Sequence, residues 1–174
     1  MHDGIKAFSS SDIAKLVGIT PVYLNALIQR KLYGIAASIS DRHGEIKVRI
    51  FSEEDVFGIA LVWMLFESGL RTESIRQILA QVVDSEAPDP DALGAAEFIA
   101  RSEISHLVII RERAKSKKNP RSKLSLKVER TDVHHLNGLL IESVEKYPTA
   151  SMLVVPVGAT FADVANKIGL MYGE

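Results

Sequence analysis

Apolar and polar positions alternate along the chain in blocks whose periods differ. Ile13, Leu16 and Val17 form a helical stripe behind Ser9-Ser10-Ser11, which offers an N-cap, and the stripe stops at Gly18. Thr20-Pro21 supplies a second cap with proline at the first helical position, and Leu24, Leu27, Ile28 and Leu32 continue at helical spacing. Two short helices joined by Gly18-Ile19-Thr20 form a helix-turn-helix pattern, in which the second helix can lie in a major groove. Next, 35–40 and 46–51 have β-type content, with Asp41-Arg42-His43-Gly44 as the turn between them, so a hairpin is predicted as a wing. Ser52-Glu53-Glu54-Asp55 opens a long helix through Glu67, closed by Gly69, and Thr72 begins another.

Pro88 and Pro90 then interrupt an acidic stretch, 84–91, that cannot continue a helix. A domain boundary is predicted there: 1–83 as one domain expected to fold alone, 84–91 as a linker, 92–174 as a second domain. The second half reads as a helix near 92–100, a strand over 105–111, a basic loop, a strand over 124–129, a helix over 132–146, a strand over 152–157 and a helix over 160–170. The first two strands suit a hairpin, and the last two, flanking a helix, suit a parallel crossover. The expected fold class is therefore α+β, an N-terminal winged helix-turn-helix followed by a small α/β domain.

The 174 residues carry a net charge of -1, which by itself says nothing for nucleic acid, so the distribution of charge has to carry that argument. From Thr20 through Phe51, Arg30, Lys31, Arg42, Lys47 and Arg49 outweigh Asp41 and Glu45, and 111–130 is also strongly basic. With no cysteine, disulfides and thiolate metal or redox chemistry are excluded. No apolar run has the length of a membrane span and the N-terminus lacks the order of a secretory signal, so the cytoplasm is the expected compartment.

Three stretches resemble the MerR family of bacterial regulators: Asp12-Ile-Ala-Lys-Leu-Val-Gly-Ile-Thr-Pro-Val-Tyr-Leu24, then Val48-Arg-Ile-Phe-Ser-Glu-Glu-Asp55, then Leu65-Phe-Glu-Ser-Gly-Leu70 with Ile75-Arg-Gln-Ile-Leu79. The resemblance covers roughly 8–82. It implies a winged DNA-binding fold, a transcriptional regulator acting on double-stranded DNA, and a wing arginine at Arg49. It departs from the family at Asn25 and Ala26, where an arginine and an aromatic residue usually stand. The family's long dimerisation helix is also missing after the fourth helix, because the chain breaks at Pro88 and Pro90.

The DNA-binding candidates are Thr20, Tyr23, Asn25, Arg30, Lys31, Arg42, His43, Lys47 and Arg49. Tyr23 and Asn25 stand near the start of the second helix, where an Asn amide can pair with adenine. The other reading of these two is that Tyr23 covers the core and Asn25 is solvated. Arg42 and His43 at the wing tip suit phosphate, or simply solvent. His134-His135 near Asp132 point about 100° apart on a helix, so no metal is expected. Gly158-Ala159-Thr160 leads into a helix N-terminus that can hold an anion, or that Thr160 merely caps. No catalytic motif is present, so neither an enzyme nor a cofactor is expected. A homodimer assembled through 92–174 is expected, and that half is also the expected place for a small-molecule or protein effector. Two other readings compete: a protein-interaction module that has lost DNA readout, which Asn25 and Ala26 favour, and an enzyme attached to a DNA-targeting domain.

Overall fold

The computed structural model describes residues 6–30, 32–35, 38–42, 46–84, 91–113 and 124–173, of which 38–42, 46–48, 113 and 124 are described by backbone only. Local capping chemistry starts the fold. β1 (Phe8–Ser9) runs into α1 (Ser10–Val17), where Ser9 and Asp12 form a reciprocal capping box. The chain leaves α1 through Gly18 at φ 78°, a left-handed conformation that glycine adopts without a Cβ clash. α2 (Pro21–Gln29) follows, then a 3-10 turn at Leu32–Gly34. β2 (Ser38–Arg42) and β3 (Ile46–Phe51) pair antiparallel from Ser38↔Ile50 to Arg42↔Ile46. β1 adds to the other side of β3 through Phe8↔Phe51, giving the order β1-β3-β2. A second capping box at Ser52 and Asp55 starts α3 (Glu53–Glu67), and α4 (Thr72–Val82) follows.

The second half contains α5 (Ala92–Arg101), β4 (His106–Arg113), β5 (Leu124–Thr131), α6 (Leu136–Lys146), β6 (Ser151–Val155) and α7 (Val157–Tyr172). The described residues are thus mixed helix and sheet, an α+β arrangement with two small antiparallel sheets. Within 92–174 both expected strand relations are present, with β4 inserted between the two crossover strands. β4 and β5 form the expected hairpin, and β6 pairs antiparallel with β4, in the order β5-β4-β6. β5 and β6 therefore run parallel without touching, since β4 lies between them.

The expected division into 1–83 and 92–174 separates segments of sequence but not cores. One connected cluster of buried side chains runs from Phe8 through α1, α2, α3 and α4 into α5, the faces of β4 and β6, and α7. α3 explains why. Val56, Ile59, Leu61, Val62 and Leu65 are buried on successive sides of it, and a helix apolar all round needs cover on every side. α1 and α4 supply part of that cover. The rest comes from α5 and α7: Phe57 meets Phe161 edge-on at 5.3 Å, and Thr160 Oγ1 donates to Met64 Sδ at 3.0 Å.

Two glycines allow this closeness. At Gly58 on α3 an added Cβ would stand 3.3 Å from the Leu93 backbone nitrogen on α5. At Gly34, φ is 72° and an added Cβ would fall 2.6 Å from Asp91 Oδ1, the oxygen that accepts from Leu93 N and caps α5. Gly34→Ala therefore combines backbone strain with the loss of that seat. It should cost about 1–3 kcal/mol of folding stability, measured by chemical denaturation of the full chain. An unchanged midpoint would show that Gly34 does not hold α5 in place.

Candidate nucleic-acid interface

The arrangement of α2 follows from its two ends and its period. Thr20 Oγ1 accepts from Tyr23 N at 3.3 Å, and Pro21 occupies the first turn, where its missing N–H leaves no bond unmade. Leu24 and Leu27 turn inward and are buried. Val22, Asn25 and Gln29, spaced by three and four residues, consequently share the outward face, with Arg30 exposed just beyond it.

Among the described side chains, the hairpin meets this face through Arg49. Arg49 on β3 donates from Nη1 to Asn25 Oδ1 on α2, linking residues 24 apart in sequence. Two predicted DNA-contacting side chains are thus bonded to each other. The bond takes one of the two lone pairs of Asn25 Oδ1 and leaves the other, together with the amide N–H groups, for a base edge, so Arg49 can hold the amide while it reads adenine.

Tyr23 takes the core-covering role. Its ring lies 4.3 Å from that of Phe66 and 5.2 Å from that of Trp63. Burial, followed by the neighbouring Tyr33, pushes its phenol up to about 12, so it stays protonated at neutral pH. Thr20 is a capping residue with an exposed side chain. Arg30 is exposed at the C-cap of α2, available to solvent or phosphate. The backbones of Arg42 and Lys47 lie in the hairpin strands, opposite Ile46 and Asp41 respectively, while their side chains and the whole of Lys31 and His43 lie outside the described residues. The middle of the basic loop, 114–123, and most of the 84–91 linker lie outside them as well.

Val22 is the residue that sequence reasoning passed over. At 80% exposure it is the most exposed large apolar side chain among the described residues. The signal was its position three residues before Asn25, on the same face of the same helix.

Elsewhere, Asp132 organises the turn before α6. Its Oδ1 accepts from the backbone of His134 at 2.8 Å and of His135 at 3.0 Å, and its Oδ2 lies 2.7 Å from His135 Nδ1. The His135 side-chain bond, followed by the backbone donors, holds this exposed carboxyl at about 2. The helix predicted over 132–146 thus begins at Leu136, because Asp132 bonds the turn instead of entering the helix. Among the described residues no group of three or more His, Asp or Glu could hold a metal ion. Thr160 does not cap α7, which begins at Val157; its hydroxyl points to Met64 and to the Pro156 carbonyl. No helix among the described residues is long and apolar enough to cross a membrane. No family model matches this chain, and no curated protein matches it.

Proposed function

We propose that the chain is a sequence-specific DNA-binding transcriptional regulator, with 1–83 acting as a winged helix-turn-helix of the MerR type. The observation that carries the reading is the Arg49–Asn25 bond, which sets a basic hairpin beside the outward face of α2. A helix presenting an exposed face that holds Asn25 and Gln29 beside Val22, next to a basic β-ribbon, suits a duplex, the helix entering the major groove and the ribbon touching the backbone. The element order and the sheet order β1-β3-β2 support the same reading. In it, Arg30 and Arg49 meet phosphates, Val22 and Asn25 face base edges, and the protein works as a homodimer on paired half-sites. The second half carries assembly and the response to a small-molecule or protein effector. The reading assigns the chain no catalytic step and places its work in the cytoplasm.

A second reading has its own support. Tyr23 is turned inward, Asn25 is engaged by Arg49, and the outward face of α2 offers exposed Val22, which together suit a protein partner at α2. Selection of bound sequences from random duplex DNA, followed by salt titration on the selected site, separates the two. The DNA reading expects an enriched motif and an affinity that falls linearly on a log–log plot against salt. Absence of any enriched motif hands the function to the protein-interaction reading.

A further inference from the structure

The two edges of the second sheet are treated differently by the fold. The outer edge of β5 is closed by α4: Gln81 accepts from Val128 N at 2.9 Å and donates to Leu126 O at 3.0 Å, so a side-chain amide stands in for a neighbouring strand. The outer edge of β6 has no partner among the described residues. Edges left to solvent are commonly guarded by lysine, by proline within the strand or by a bulge. β6 is Ser151-Met-Leu-Val-Val155, and no Asp, Glu, Lys or Arg occurs anywhere over 147–162, in a chain of which a quarter is charged.

The surface beside this edge is apolar too. Leu136 and Leu140 are half-buried and Ser143 is buried, so this stripe is the packed face of α6. Tyr147 fixes which flank lies where, because Lys127 of β5 and Lys146 of α6 both stand 5.7 Å from its ring. The charged flank of α6 therefore lies over β5. The opposite flank, with Ile141 63% and Val144 57% exposed, lies on the β6 side. Val154 is on the same side of the sheet, since it pairs with Val108, as Met152 and Lys127 both pair with Ile110.

We propose that the β6 edge pairs with the β6 edge of a second copy of this chain, antiparallel about Leu153, joining two three-stranded sheets into one of six strands. A strand that pairs antiparallel with itself satisfies two-fold symmetry, which closes the assembly at two. The missing charge favours this occupant over others. In a self-pairing edge any charged side chain is present twice along the seam, once from each copy, and here there is none to repel. Met152 of one copy then faces Val154 of the other, with Ile141 and Val144 flanking the seam. The proposal names the surface for the homodimer of the DNA-binding reading, and its test contains no DNA, so the two fail separately.

Sedimentation equilibrium of the full chain across the micromolar range should show a monomer–dimer system. Val154→Lys and Ile141→Glu should each raise its dissociation constant at least about tenfold, while Leu170→Glu, at a still more exposed apolar site far along α7, should leave it unchanged. On the unmodified chain, amide hydrogen exchange over 151–155 should slow as concentration rises, a readout that does not depend on any variant folding. A chain that stays monomeric, a dimer indifferent to both substitutions, or exchange over 151–155 that ignores concentration would each overturn the proposal.

Discussion

A fragment ending at Val83 will show no cooperative thermal transition, and its single tryptophan, Trp63, will emit like an indole in water. In the full chain Trp63 is only 8% exposed and sits in α3. Cutting at Val83 removes α5 and α7 from that helix, stripping Phe57 of Phe161 and Met64 of Thr160. It also deprives α4 of β5, to which Gln81 is bonded. Uncovering Phe57 and Met64 costs up to about 1.5–3 kcal/mol each, which together approaches the lower end of the ~5–15 kcal/mol that hold a domain together. Circular dichroism and Trp63 fluorescence on the fragment and the full chain check this. A fragment melting cooperatively within a few degrees of the full chain would restore the two independent domains that the proline-broken linker suggests.

Asn25→Ala and Arg49→Ala will not act independently on DNA binding. Taken separately, loss of a phosphate-contacting arginine weakens all duplexes alike and lowers the salt slope by roughly one unit. Loss of a base-reading amide costs the selected site about 1–3 kcal/mol and spares non-specific binding. Because Arg49 donates to Asn25, each residue positions the other. Asn25→Ala should therefore also disturb the backbone contact and reduce the salt slope. In a double-mutant cycle on the selected site, the doubly substituted chain should depart from the sum of the single losses by about 0.5–3 kcal/mol. Circular dichroism verifies that each variant is folded. Strict additivity would place the two side chains apart in the complex, and no effect from either would move the DNA-facing surface away from α2.

What the sequence made legible is local. Ser9, Gly18, Thr20, Pro21 and Ser52 mark helix ends because their chemistry acts within three or four residues of backbone, and α1, α2 and α3 begin where those residues stand. The hairpins were legible from β-type runs around turn or basic segments, although the first strand, read over 35–40, lies at Ser38–Arg42, so that Asp41 and Arg42 pair with Lys47 and Ile46 instead of forming the turn. Even Tyr23 was half legible, since it falls off the face shared by Val22, Asn25 and Gln29. The apolar run Phe57–Phe66 was visible as well, yet periodicity within α3 says only that cover is needed on all sides and does not say which elements supply it. That was decided by tertiary structure, through Gly58 against α5 and Phe57 against Phe161. The same holds for β1, two residues long and defined only by Phe8 and Ser9 opposite Phe51 and Ile50, and for β6, whose antiparallel place beside β4 no local pattern specifies. It holds for the Arg49–Asn25 bond too, which the fold of the hairpin creates across 24 residues. Caps and periods arise from backbone groups that must be satisfied close by in the chain, whereas the joining of surfaces depends on which distant apolar faces bury one another at least cost.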